Sequence, residues 1–316
     1  MLRPSLPRPG ALVALLRSRL FLLISFHPML AVSSNSTRIS KRFAALRESG
    51  ELGIVAYITA GDPSLAATHK FVLALAEAGA DVIELGIPFS DPLADGPTIQ
   101  RASERALKSS TTLAKVIALV REIRKSSEVP LVLFGYYNPV LQMGLEKFAA
   151  AASSAGADGV LITDLTPEES DDHRRILAAH HLDTIFLGAP TSTDERLAKI
   201  AAASSGFLYL ISRTGVTGAK DALPEDLPAL IRRARRVTQL PIAVGFGISL
   251  PGHVSVLGGL ADAAAVGSSL VSEIEKATAA DSSPAAVDRA SAALAARVRL
   301  LKEAARHGLS RREVAP

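Results

Sequence analysis

The chain has 316 residues, of which 48% are hydrophobic and 4% aromatic, with no Trp and no Cys. That length allows one large domain or two ordinary ones with a sizeable core, and the lack of Cys excludes disulfides, thiolate catalysis and sulfur-ligated metals. The formal net charge is +4, but five Arg and no acidic residue fall in the first forty positions; the remainder sums to about −1, and no basic face for nucleic acid follows from it.

Residues 1–34 read as an extension foreign to the rest. Arg3, Arg8, Arg17 and Arg19 punctuate two apolar stretches, 11–16 and 20–24, and 33–40 is mostly polar. An Arg-rich, Ser-rich, acid-free leader is the pattern of an organellar transit peptide. A signal peptide and an overextended gene start are the other readings, the latter because Met29 stands just before globular sequence begins. Arg17 and Arg19 split the apolar region, so the roughly 20 uninterrupted residues of a spanning helix are absent and no membrane role is expected. The expected location is the plastid stroma if this is a transit peptide and the cytoplasm if the chain is bacterial.

From residue 54 onward short apolar runs alternate with longer amphipathic ones. The predicted strands are 54–58, 81–85, 130–134, 159–163, 184–187, 207–211, 242–245 and 263–266. Each is short and mostly non-alternating, as strands covered on both faces are. Between them, 112–126 carries Leu113, Val116, Ile117, Val120 and Ile123 at helical spacing, and 145–154 and 194–205 are further helices. Gly79-Ala80-Asp81 and Gly156-Ala157-Asp158 read as matching turns from helix to strand, glycine taking the left-handed position. Eight such βα units over about 230 residues predict a single TIM (β/α)8 barrel over 35–280. The tail, 281–316, is read as a surface helix and a frayed end. An open doubly wound sheet is disfavoured because no strand is followed by G-x-G-x-x-G opening a helix.

In a barrel the chemistry gathers at the C-terminal ends of the strands. The second strand delivers Glu84 there, and the loop 88–97 that follows carries Asp91 and Asp95, stiffened by Pro88, Pro92 and Pro97. Two acids at the mouth of one strand suit an acid/base pair; an ordinary loop with a helix cap is the blander reading. The other strand ends supply Tyr57, Phe134, Tyr136, Thr163, Leu187, Tyr209 and Phe246, an aromatic and apolar set suited to an aromatic substrate. Late glycines, at 245–247 and 267–268, lie where barrels commonly hold phosphate. No P-loop is present, so no nucleotide is implied. No Lys ends a strand, which leaves a Schiff-base mechanism without a nucleophile. His173, His180, His181 and His253 are expected on helical or solvent-facing segments, and no metal site is expected.

Four stretches identify a family resemblance. They are Thr59-Ala60-Gly61-Asp62-Pro63, the run from Leu85 through Ser90-Asp91-Pro92-Leu93-Ala94-Asp95 to Gln100, Ser212-Arg213-Thr214-Gly215-Val216-Thr217-Gly218, and Gly245-Phe246-Gly247-Ile248-Ser249. Together they resemble the alpha-subunit family of tryptophan synthase over about residues 42–276. The resemblance implies cleavage of indole-3-glycerol phosphate to indole and glyceraldehyde 3-phosphate, without a cofactor in this chain. It also implies a pyridoxal-phosphate beta subunit as partner in an alpha2beta2 tetramer. It places the catalytic acids on Glu84 and Asp95, with Tyr209 beside the substrate. Tyr57, Phe134, Leu161, Leu187 and Phe246 would line the indole pocket, and Gly218, Gly247, Gly267 and Ser268 would hold the phosphate. Asp91, Arg213 and Thr217 would form the lid and its coupling to the partner. Tyr57 replaces the Phe of many bacterial relatives, and 135–139 looks more like the plant version. A stand-alone lyase that releases free indole is therefore the alternative; another phosphate-binding barrel lacks the 88–97 loop, and a non-catalytic activator would not need both acids.

Overall fold

The computed structural model describes residues 37–213 and 223–310. The chain opens with helix α1 (Arg38–Ser49), capped by the Thr37 hydroxyl, which accepts the Ser40 N–H. Strands β1 (Gly53–Thr59), β2 (Val82–Gly86), β3 (Leu131–Gly135) and β4 (Gly159–Ile162) follow, then β5 (Asp183–Ile185), β6 (Leu187–Gly188), β7 (Leu208–Ile211), β8 (Ile242–Gly245) and β9 (Ala263–Val266). All pair in parallel, in the order β5-β4-β3-β2-β1-β9-β8-β7-β6. The two ends of that order, β5 and β6, are consecutive in the chain and separated only by Phe186. One interrupted strand thus pairs with β4 through its first half and with β7 through its second, closing an eight-stranded TIM barrel. The sequence predicts 184–187 as one unbroken strand; the structure divides it because its two halves serve different neighbours.

The apolar strand residues alternate between two layers. Ile54, Ala56, Ile58, Ile83, Leu85, Leu131 and Leu133 face the surrounding helices. Val55, Tyr57, Val82, Val132, Phe134, Leu161 and Tyr209 fill the barrel interior. Burial on both sides explains why the strands read as continuous apolar runs. Helix α1 closes the bottom: its Ile39, Phe43 and Leu46 join the interior layer, and the Phe43 and Phe207 rings lie 5.6 Å apart.

The turns that end in Asp share a device. Asp81 accepts the Ile54 N–H at 2.6 Å, Asp158 that of Leu131 at 2.8 Å, and Asp262 that of Ile242 at 2.7 Å. Each carboxylate precedes one strand and caps the start of its neighbour, and each is met by a cation: Lys302 and Arg42, Arg124 and Arg38, and Arg235 respectively. The strand register is therefore pinned at the end opposite the chemistry.

Helices cover the outside: α2 (Leu65–Glu77), α3 (Pro97–Lys108), α4 (Leu113–Arg124), α5 (Tyr137–Met143), α6 (Leu145–Ala155), α7 (Asp171–Ala179), α8 (Asp194–Ala203), α9 (Leu227–Val237), α10 (Pro251–Leu257), α11 (Ser268–Thr278) and α12 (Pro284–Ser310). The tail is more than the surface helix expected. Ala286, Ala290, Leu294, Val298, Leu301 and Ala305 of α12 are buried, and the helix packs on α2, α10 and α11. Two of the four histidines are core rather than surface groups. His173 is buried against the edge of the Tyr137 ring, and burial holds its pKa down at about 4. His253 is buried in α10, with Nδ1 accepting the Ser249 N–H. Among the described residues no cluster of three His, Asp or Glu side chains is arranged to hold a metal, and no helix is long and apolar enough to cross a membrane.

Candidate active site

At the C-terminal mouth of the barrel lies a narrow cleft. Glu84 occupies its floor. It faces inward from β2, paired in register with Tyr57 on β1 and Val132 on β3. The next inward position on β2 is Gly86, and a methyl group there would collide with the Tyr57 hydroxyl; Gly245 on β8 makes the same room for the Tyr209 hydroxyl. Glycine at these two positions lets large phenols fill the top of the interior around Glu84.

The Glu84 carboxyl is 1% exposed, and its Oε1 has no hydrogen-bond partner. Burial alone pushes its pKa up to about 8, so it carries a proton at neutral pH. Burial likewise raises the Tyr57 and Tyr209 hydroxyls well above the ordinary range and keeps both neutral, with Asp95 adding to the effect at Tyr57 and Glu84 at Tyr209. Asp95 comes from the loop after β2, one residue before the Gly96 N-cap of α3. Its pKa is raised to about 6 by burial, against the lowering effect of a 3.0 Å hydrogen bond from the Tyr136 hydroxyl. Asp95 is thus mostly ionised at pH 7 while Glu84 is mostly neutral: an acid and an anion in one cavity, separated by environment.

Aromatic rings form the walls. Tyr57 meets Phe134 edge-on at 5.2 Å, and Tyr209 meets Phe246 edge-on at 6.0 Å. Phe246 has φ +65 and the adjoining Gly247 φ +98. A bulky residue in the left-handed region costs on the order of 1–3 kcal/mol, and here that backbone turns the ring onto Tyr209. Ser212 steadies the turn by donating to the Phe246 carbonyl.

The far side of the cleft is formed by Gly247, Ile248 and Ser249 after β8 and by Gly267, Ser268 and Ser269 after β9. The last three start α11, whose first turn has no acidic residue and whose N-cap has no side-chain hydrogen bond. The positive end of that helix faces the cleft, as suits an anion. The Ser249 and Ser269 hydroxyls are buried and lack hydrogen-bond partners.

The structure brings nine of the residues singled out in the sequence around this one cleft: Tyr57, Glu84, Asp95, Phe134, Tyr209, Phe246, Gly247, Gly267 and Ser268. Leu161 and Leu187 belong to the barrel interior, paired in register with Phe134 and Tyr209, but do not line the cleft. Asp91 is exposed at the tip of its loop, bonded by Ser90. Arg213 is half-buried at the end of β7. Thr217 and Gly218 lie outside the described residues. Sequence reasoning missed Ile99, Ile248, Ser249 and Ser269, and it placed Tyr136 at a strand end without a role. Ile99 was detectable as the apolar residue one helical turn beyond Asp95, and Ser269 as the residue after Ser268 at a helix start.

A closed parallel barrel whose C-terminal mouth holds two environment-tuned carboxyls, aromatic walls and a helix N-terminus is a TIM-barrel enzyme. The family model for the tryptophan synthase alpha chain matches residues 43–304. The tryptophan synthase alpha chain of Solibacter usitatus is 52% identical over 240 residues, covering 76% of this chain and 90% of that one. That of Geobacter sulfurreducens is 49% identical over 245 residues, 78% of this chain and 93% of that one. Among solved structures, tryptophan synthase subunit alpha from Legionella pneumophila superposes with a TM-score of 0.77 at 38% identity, covering 86% of this chain and 99% of its own. A chain from Mycobacterium tuberculosis tryptophan synthase gives a TM-score of 0.76 at 34% identity, covering 85% of this chain and 98% of its own. The chain belongs to the tryptophan synthase alpha chain family.

Proposed function

We propose that this chain is a lyase that cleaves indole-3-glycerol phosphate to indole and glyceraldehyde 3-phosphate by cofactor-free acid/base chemistry. The observation that carries this reading is the Glu84 carboxyl, buried without a partner on Oε1 in an aromatic cleft with Asp95 beside it. Protonated Glu84 gives its proton to indole C3, and positive charge develops on the ring nitrogen. Asp95, as a fixed anion near that N–H, stabilises the charge where it appears. The Glu84 carboxylate then takes the proton of the side-chain hydroxyl as the bond to C3 breaks and the aldehyde forms. Glu84 ends the cycle protonated, so no external acid or base is consumed. Gly247, Gly267 and Ser268 hold the phosphate through backbone N–H groups and a hydroxyl.

The partner in this reading is a pyridoxal-phosphate beta subunit in an alpha2beta2 assembly that joins indole to serine. The loop carrying Asp95 supports it: Leu93 is 87% exposed at the tip beside Asp91, an apolar side chain offered to solvent next to the site. The bacterial relatives favour the cytoplasm over a plastid.

The test is turnover of indole-3-glycerol phosphate by the purified chain, alone and with a beta subunit from a near relative, across pH. The expected profile of kcat/KM is a bell with limbs near pH 6, below which Asp95 is neutralised, and near pH 8, above which Glu84 has lost its proton. Added beta subunit is expected to raise turnover by orders of magnitude. No cleavage in either condition would overturn the reaction. Full turnover from the isolated chain, unmoved by any beta subunit, would overturn the partner and leave a stand-alone lyase.

A further inference from the structure

We propose that Tyr136 is the positioning residue for Asp95, its single phenol oxygen fixing both the carboxylate and the backbone of the loop that carries it. This inference rests on the cleavage reading above. The Tyr136 hydroxyl lies 3.0 Å from Asp95 Oδ2 and 3.0 Å from the Ala94 nitrogen. An amide N–H can only donate, so at Ala94 the hydroxyl accepts, and its one proton goes to the carboxylate. The direction of both bonds is thereby settled without reference to any hydrogen position.

The two sides of this junction differ in rigidity. Tyr136 is buried and follows β3 directly, and that strand end is tied to both neighbours: Ile87 N–H bonds Phe134 O at 2.7 Å, and Thr163 N–H bonds Gly135 O at 2.9 Å. The Asp95 loop projects outward, with Asp91, Leu93 and Ala94 exposed. Its backbone is held by Gln100, whose amide bonds Asp95 O at 2.9 Å, and by the Phe89 ring stacked 5.0 Å from Tyr136. Those contacts place the loop; the phenol orients the acid. Among the described residues that line the cleft with Asp95, the titratable groups are Tyr57 on β1, Glu84 on β2 and Tyr209 on β7, all mostly neutral at pH 7, while α3 adds Ile99 and the Gln100 amide and α11 adds Ser268 and Ser269. A hydrogen bond that favours the anion therefore weighs heavily on how Asp95 titrates.

The experiment is Tyr136→Phe in the full chain, assayed with indole-3-glycerol phosphate with beta subunit present. Loss of a hydrogen bond to a charged group is expected to lower kcat about ten- to a hundred-fold, with KM moved less than about three-fold. The acid limb of the pH profile is expected to move upward by about one unit. On an Asp95→Asn background the same change is expected to cost less than about two-fold, because the carboxylate it serves is gone. If the Phe variant does not fold, fluorotyrosine at 136, a stronger donor, is expected to move the acid limb downward. A wild-type chain that does not cleave would overturn the functional reading and this inference with it. A cleaving wild type whose acid limb and kcat ignore the lost hydroxyl, or whose two substitutions multiply independently, would overturn this inference alone.

Discussion

Glu84→Gln is expected to remove cleavage of indole-3-glycerol phosphate by at least about 10³-fold while leaving KM within a few-fold. General acid/base steps contribute about 10²–10⁴ each, and one carboxyl serves both proton transfers here. Turnover above about a tenth of normal would take that role away from Glu84. The same substitution is expected to stabilise the protein. Burial raises the folded pKa of Glu84 from 4.5 to about 8. The sign follows from linkage: a raised acid binds its proton more tightly when folded, so its contribution is whole below the unfolded pKa and is lost as pH rises through the folded one. At pH 7 that loss is on the order of 3 kcal/mol, and a neutral amide does not suffer it. The Tm of the Gln variant is expected to match wild type near pH 4 and to exceed it by several degrees near pH 8. A gap that stays constant with pH would show that Glu84 is not the strained group.

The barrel was legible because its strands are buried on both faces, so each appears as a compact apolar run between amphipathic segments. The fifth was the hard one. Nothing around Phe186 marks the point where pairing passes from β4 to β7, since that is a property of barrel closure and not of local pattern. Helix α12 was misjudged for a related reason: its many alanines look like a solvated tail, yet small side chains are what allow it to lie close against α2, α10 and α11. At the site, Glu84 and Asp95 were readable from strand-end logic and a long motif. Their different protonation was not, because it depends on how each is buried in the folded barrel and on a hydrogen bond to Asp95 from Tyr136, forty-one positions away. Leu161 and Leu187 pair in register with Phe134 and Tyr209, yet they belong to the barrel interior and not to the lining of the cleft.

Ser268→Asp is expected to raise KM for indole-3-glycerol phosphate by about 10²–10³-fold with little change in kcat. Ser268 is the first residue of α11, whose partial positive charge is not offset by any acid in its first turn. A carboxylate placed there cancels that field and stands within a few ångströms of the phosphate. At about 4 Å and an effective dielectric near 20, each pair of like charges costs roughly 4 kcal/mol, which sets the size of the effect. Ser268→Ala removes one hydroxyl and leaves the backbone N–H groups in place, so its penalty is expected to stay below about ten-fold. The two halves of the substrate give an internal control. Inhibition by glyceraldehyde 3-phosphate is expected to weaken in parallel with KM, whereas indole, which meets only the aromatic walls, is expected to bind as before. Loss of both together would point to a collapsed cleft. An unchanged KM would move the phosphate away from α11, toward the loop after β8, where Gly247 and the buried Ser249 hydroxyl remain to receive it.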